Sequence, residues 1–358
     1  MRLSRTCFVA MVGLAVASCG ISDSTPTSPR ILPGTLDASV VASPSFTLRR
    51  LTTPAGQNSE AYDINSGRQS AGVVYVAGQT IDGQAVLWEP PAVGTSTVAG
   101  VPAGFNAAVA YGLTNGGTLA VTAYGANTAA YTWSVAGGWA PVPMPINTTA
   151  SEARDISSSG IVVGSWTRNG IQRAYRYNPA VGFQNLHAAA AAVGFTASGA
   201  EGVQNNARVV GWAETGGQRH AVEWASNGTF TDWGYMGPSN AFLDIAAGNI
   251  VGHFYYAAHG GYDGVGFYSG IGQQALLMGS AFGVSTKGRV VGKTIPPAME
   301  PATGMLVDLR TTAATALPMP AAATGGRANG VNTCGHSVGA VESGGLTRAA
   351  FWVISACD

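Results

Sequence analysis

One phrase recurs seven times down this 358-residue chain and constrains its fold more than any other feature. It runs small residue, two spacers, aliphatic residue, polar turn with Gly, then a Val-rich step ending in Gly. One copy reads Ala153-Arg154-Asp155-Ile156-Ser157-Ser158-Ser159-Gly160-Ile161-Val162-Val163-Gly164. Another reads Ala281-Phe282-Gly283-Val284-Ser285-Thr286-Lys287-Gly288-Arg289-Val290-Val291-Gly292. A period of roughly 40 to 50 residues marks a repeat architecture, whose units bury a core only by stacking on one another.

Each unit offers three strand-like runs and a looser fourth. Strand A begins at Ala61, Ala110, Ala153, Ala200, Ala281 and Ala328, with an aliphatic residue three positions on. Unit five departs, with Ile245 three residues before Gly248, and unit one carries extra residues between Asn65 and Val73. Gly117, Gly160, Gly248, Gly288 and Gly335 supply the positive φ of a tight A–B turn, and Ala207 is the exception. Strand B ends in Gly164, Gly211, Gly252, Gly292 and Gly339. Strand C runs small, hydrophobic, spacer, aromatic, as in Ala85-Val86-Leu87-Trp88 and, in the last unit, Ala350-Phe351-Trp352-Val353. Strand D is a run such as Gly182–Leu186.

Four short antiparallel strands per unit predict an all-β fold, a seven-bladed β-propeller of four-stranded blades over residues 45–358. Helix is confined to a turn or two within His187–Val193. Unit seven leaves no room for its strand D before Asp358, and an orphan run, Phe46–Leu51, precedes unit one. That N-terminal run is expected to close the ring as the outer strand of blade seven. An open β-solenoid is the alternative, and it would leave end strands needing caps.

The copies resemble the extracellular HAF-repeat family, whose units carry a His-Ala-Phe-like tripeptide before a Trp. Here the tripeptide reads His220-Ala221-Val222, Arg173-Ala174-Tyr175 and Ala349-Ala350-Phe351, and the resemblance covers about residues 46 to 353. It implies a cell-surface repeat protein and brings no catalytic residues.

The leader points to the same compartment. Residues 1–18 hold Arg2, Arg5 and an apolar stretch too short to span a bilayer, ending in Val16-Ala17-Ser18-Cys19. This resembles a bacterial lipobox, with Cys19 lipidated; an ordinary secretory signal cut after Ala17 is the alternative. Gly20 favours the outer membrane, periplasmic or surface-facing. Residues 19–44 are rich in Ser, Thr and Pro and read as a flexible tether.

The chain has 18 basic and 18 acidic residues, and loss of Arg2 and Arg5 with the leader leaves a net charge of −2. Only 10% of residues are charged and Lys occurs at 287 and 293 alone, so nucleic acid is not an expected partner. No cofactor or metal motif is found. His253 and His259 are too few to hold a metal unaided. Asp63, Asp155 and Asp244 recur near strand A, where they either line the channel for acid–base work or bond backbone. Cys334 and Cys357 remain once Cys7 and Cys19 are accounted for, and are expected to pair.

The repeated strand-C aromatics read as blade packing. The B–C loops are expected to carry function, because their lengths vary and unexplained aromatics and charges gather there. The candidate ligand-binding residues are Trp166, Arg168, Trp212, His253, Tyr255, Tyr256, Tyr262, Asp263, Lys293 and Glu300. The expected function is a lipid-anchored extracytoplasmic binding or scaffolding module for a glycan, peptide or protein partner on that loop face. The rival is a carbohydrate-active lyase or hydrolase at the channel mouth, which would need a convergent cluster of titratable groups.

Overall fold

A computed structural model describes residues 45–77, 83–92, 94–234, 239–256, 261–268, 272–275, 279–294, 302–311, 313–355 and 357. The expected leader, Cys19 and the tether lie outside the described residues, as do His259 and Glu300. The chain begins with β1 (Phe46–Arg50). Blade 1 holds β2 (Gln57–Ile64), β3 (Ser70–Val76), β4 (Gln84–Trp88) and β5 (Ser96–Gly100). Blade 2 holds β6 (Ala107–Leu113), β7 (Leu119–Tyr124), β8 (Thr128–Ser134) and β9 (Gly138–Pro141). Blade 3 holds β10 (Ala150–Ile156), β11 (Val162–Arg168), β12 (Ile171–Asn178) and β13 (Gly182–Asn185), and the short helix α1 (His187–Ala191) follows it.

Blade 4 holds β14 (Ala197–Val203), β15 (Val209–Thr215), β16 (Gln218–Trp224) and β17 (Phe230–Asp232). Blade 5 holds β18 (Ala241–Ala246), β19 (Asn249–Tyr256), β20 (Gly261–Tyr268) and β21 (Gly272–Ala275). Blade 6 holds β22 (Ser280–Val284), β23 (Arg289–Lys293), β24 (Gly304–Asp308) and β25 (Ala314–Ala316). The remaining strands are β26 (Ala323–Val331), β27 (Ser337–Ser343) and β28 (Leu346–Ile354). Six four-stranded sheets are thus made of consecutive strands, and a composite sheet adds β1 to β26–β28. All pairings within the sheets are antiparallel, and β1 pairs with β28 from Phe46↔Ile354 to Arg50↔Ala350. The architecture is an all-β propeller of four-stranded antiparallel blades.

The core lies between blades, not within them. Val163 and Ala174 of blade 3 pack with Ala200, Val209 and Trp224 of blade 4. The composite blade packs on both sides, through Val338 and Phe351 against Ile64, Val74 and Trp88, and through Ala328 and Trp352 against Val291 and Leu306. Polar staples repeat at these seams: Ala130, Ala174 and Ala349 of the third strands donate backbone N–H bonds to Ser151, Ser198 and Ser59 of the next blade.

The strand-C aromatics pack as expected. Trp88, Trp224 and Trp352 are almost fully buried. Their indole N–H groups donate to the carbonyls of Thr52, Leu186 and Pro318, on the crossover entering the same blade. Trp352, not Val353, occupies the aromatic place, because it pairs with Ser337 as Trp88 pairs with Ser70. The last unit's strand-C motif therefore starts at Ala349.

Unit one has no extra residues in its A–B turn. Asn65 N–H bonds Gln69 O as Thr114 N–H bonds Thr118 O, and Arg68 (φ 67°) adopts the left-handed conformation of Gly117. Its strand-B Gly is accordingly Gly72. Cys334 in the composite blade's A–B turn is disulfide-bonded to Cys357, with Cα atoms 4.7 Å apart. No helix among the described residues is long and apolar enough to cross a membrane.

Candidate functional site

Each innermost strand breaks register near its end, and β26 breaks it once more at its start, between Ala323 and Gly325. The pairing skips between Ala61 and Asp63, Ala110 and Gly112, Ala153 and Asp155, Ala200 and Gly202, Phe242 and Asp244, Ala281 and Gly283, and Ala328 and Gly330. A bulge leaves one residue unpaired and re-aims its side chain. The seven bulged residues are Tyr62, Tyr111, Arg154, Glu201, Leu243, Phe282 and Asn329. All are half-buried, and all line one central cavity of about 560 Å³. Its rim is made of A–B turns, including Ser66, Asn115, Ser158, Asn205, Thr286 and Thr333.

Rim and wall are held by bonds between blades. Ser66 donates to Asn115 Oδ1, Ser159 N–H to Asn205 Oδ1, Thr286 and Thr333 share a hydroxyl bond, and Asn332 donates to Asn65 O. In the wall, the Tyr62 and Tyr111 rings lie 5.1 Å apart and the Tyr111 and Tyr124 hydroxyls 2.9 Å apart. The Arg154 guanidinium sits 4.9 Å over Tyr111, 3.1 Å from Glu152 and 4.0 Å from Glu201. Burial works against the Arg154 charge, but Glu201 and Glu152 more than offset it, so Arg154 titrates above its usual range. Burial pushes the Tyr62 and Tyr124 phenols up, and Glu201 as well, although Arg154 and Trp212 pull Glu201 down.

The three recurring Asp residues bond backbone, one of the two roles expected of them. Oδ1 of Asp63, Asp155 and Asp244 accepts the N–H of the next residue. Oδ2 reaches the following blade, accepting from Leu113, Val203 and Val284 at 2.7, 2.8 and 2.7 Å. Burial raises Asp63 to about 6 and Asp244 to about 7. Asp155 is raised well above the usual carboxylate range, by burial first and then by Asp244 and Asp63. Among the described residues, no group of three or more His, Cys, Asp or Glu is placed to hold a metal ion.

In blades 3, 4 and 5 and in the composite blade, the B–C segments differ from expectation in being strand over most of their length. Strands B and C keep pairing beyond the strand-B Gly, to tight turns at Asn169-Gly170 and Gly216-Gly217, where both central residues have positive φ. Trp166 and Trp212 are therefore strand residues whose rings the packing does use, 4% and 5% exposed. Trp166 meets Phe183 edge-on at 5.5 Å, with Arg173 over its ring at 5.4 Å. Trp212 lies under Arg219 at 4.0 Å and donates to Glu201 Oε1 at 3.0 Å. Arg168, half-buried, ends β11 and accepts a bond from Arg173 at its carbonyl.

His253 lies on β19 and Lys293 ends β23, both half-buried. His253 is lowered to about 4 by burial, then by Arg219 and Lys293, so blades 4, 5 and 6 bring these three near one another. Tyr255 and Tyr256 on β19 face Tyr262 and Gly261 on β20, and Asp263 faces Phe254. The side chains of Tyr255, Tyr256, Tyr262 and Asp263 lie outside the described residues. Trp212 connects this group to the cavity through Glu201.

No family model matches the chain, and no curated protein matches it in sequence. Solved structures do share its fold. Oligogalacturonate lyase in complex with manganese is 9% identical (TM-score 0.55), over 87% of this chain and 94% of the other. The β-propeller domain of the Trilobed protease from Pyrococcus furiosus, described as an open velcro topology, is 10% identical (TM-score 0.54), over 82% and 93%. Puromycin hydrolase is 14% identical (TM-score 0.53), over 83% of this chain, which spans only 54% of that protein. At these identities the likeness is one of fold alone.

Proposed function

We propose that the chain is a binding module: a seven-bladed ring, fastened by β1, that takes a small glycan or peptide ligand in its central cavity. One observation carries this reading. The positions around each bulge repeat as packing demands, Ala or Phe just before it, Asp or Gly just after it and Ile, Leu or Val one residue further on. The bulged residue itself runs Tyr, Tyr, Arg, Glu, Leu, Phe, Asn around the axis, and a residue serving only the packing would repeat like its neighbours. The cavity, at about 560 Å³, falls in the range of small-molecule sites. Attachment to a bacterial envelope through Cys19 is part of the same proposal, supported by the Val16–Cys19 run and the likeness to HAF repeats. The Trp212, Arg219, His253 and Lys293 neighbourhood is the second location proposed for a partner.

The test is to screen the full chain against immobilised glycans and peptidoglycan fragments, then repeat any hit with Tyr62→Ala and Phe282→Ala. Loss of binding with an unchanged melting curve supports the cavity. Variants that bind like the parent move the ligand elsewhere. A lyase or hydrolase is the second reading, favoured by Asp63 and Asp244 titrating near neutrality beside the cavity. Both oxygens of each already accept backbone N–H groups, which suits a structural strap better than an acid or base. Sustained turnover of an oligosaccharide, lost in Asp244→Asn with the fold intact, would replace binding with catalysis.

A further inference from the structure

The charge around the cavity is lopsided. Among the described residues lining it, Asp63, Asp155, Asp244 and Glu201 are acidic and Arg154 alone is basic. Arg154 is engaged at the wall, where Glu152 and Glu201 bracket it and Tyr111 lies beneath it. Aromatic faces add to the asymmetry: Tyr62 and Tyr111 stand together, and Phe282 reaches in from blade 6 beside Leu243. The face of an aromatic ring attracts cations, most strongly where water is excluded.

We infer that the cavity selects an organic cation, an amine-bearing small molecule whose ammonium group meets the carboxylates while its body lies against Phe282 and Leu243. This deepens the binding reading above and rests on it. An anion would favour none of these carboxyl groups, since each one that ionises repels it, and the one guanidinium is already occupied by Glu152 and Glu201. A wholly neutral ligand would leave that field unanswered in a partly enclosed, low-dielectric space. The state of the carboxyl groups agrees, since burial and mutual repulsion hold Asp155 and Asp244 above their usual range. A cation beside them would favour their ionised forms, so binding should expel protons near neutral pH.

Calorimetry on the full chain at about pH 6.5 tests this with glucosamine, cadaverine, glucose and glucuronate, in two buffers of different ionisation heat. The expected result is that glucosamine and cadaverine bind about tenfold or more tightly than glucose and glucuronate. Proton release should accompany binding, and affinity should fall as salt rises. Glu201→Gln, which keeps an acceptor for Trp212, should weaken the amines several-fold and leave glucose unchanged. Equal or tighter binding of glucose or glucuronate, or amine binding without proton release, overturns the cation inference. A neutral ligand whose binding Tyr62→Ala and Phe282→Ala still abolish would leave the binding reading standing. If none of the four probes binds, the cation inference falls, and the glycan screen judges the cavity separately.

Discussion

Gly112 lies so close to Asp155 of the next blade that a Cβ on it would stand 2.8 Å from the carboxylate and from the Ile156 backbone nitrogen. The relationship recurs: Gly202 meets Asp244 and Gly330 meets Asp63. The residue after the bulge therefore reads Asp, Gly, Asp, Gly, Asp, Gly, Gly from blade 1 to the composite blade. Each Asp straps forward onto a blade that has Gly, and each Gly before an Asp blade gives that blade room. Gly112→Ala is expected to destabilise the fold by about 1–3 kcal/mol through overpacking against backbone that cannot retreat. Urea denaturation showing no loss would mean the blades spread readily.

The Asp straps also set a pH dependence. Asp63, Asp155 and Asp244 have native pKa values raised above the unfolded carboxylate value, so the native state holds protons that the unfolded chain releases. Stability from this source is full below about pH 4 and declines as pH rises through about 6 to 7. The melting temperature should be higher near pH 5 than near pH 8, allowing for the other groups. Asp244→Asn should flatten that slope. It should also cost about 1–3 kcal/mol, because its amide NH₂ would face a backbone N–H where Asp244 presents an oxygen. A wild-type profile that rises from pH 5 to 8, unaltered in the variant, would contradict the assignment.

Trp212 couples packing to the cavity. Its ring is buried under Arg219 and its N–H holds Glu201, which faces the cavity beside Arg154. Trp212→Ala is expected to cost about 3–5 kcal/mol, as for other buried aromatics. Trp212→Phe keeps most of the ring and frees Glu201, so it should change ligand affinity more than stability. Comparing the two variants by calorimetric melting and ligand titration separates these roles. An alanine variant as stable as the parent would show that the ring is not packed.

The blades were legible because turn chemistry and strand-C aromatics repeat at fixed places. Errors of alignment arose where a repeat borrowed an atypical residue. Arg68 in a left-handed conformation hid the unit-one turn, and adjacent Ala349 and Ala350 offered two anchors for one motif. The strand-B Gly was misread as a strand end. Gly72, Gly164 and Gly211 are instead places where a Cβ would run into a strand-A carbonyl, so the strand passes straight through. That is why Trp166 and Trp212 fall on strands. The cavity was missed because its residues are the spacers of the repeat. Their signal was variation itself, Tyr62 to Asn329 changing type where the residue before is Ala or Phe and the residue after only Asp or Gly, and a bulge is needed to see that this position turns to the axis.

The last relationship joins the two ends of the chain. β1 covers the edge of β28, Leu51 is buried with Ile64, Trp88 and Phe351, and Trp88 donates to Thr52 O at 2.7 Å. Phe46 and Leu48 pack on the composite blade's other side, against the cluster holding Trp352. Deleting residues 46–52 would bare a strand edge, expose Leu51's site and orphan a buried indole N–H. The combined loss is about 5 kcal/mol or more, from the apolar burial and the unmet donor together. A bare β28 edge is also a template for pairing with another chain. The deletion variant should therefore melt well below the parent and associate as concentration rises, read by calorimetry and sedimentation. Adding back a peptide of residues 45–53 should restore the melting temperature, because the missing strand and its partners are then reunited. A deletion variant that melts like the parent as a monomer would show that β1 does not fasten the ring.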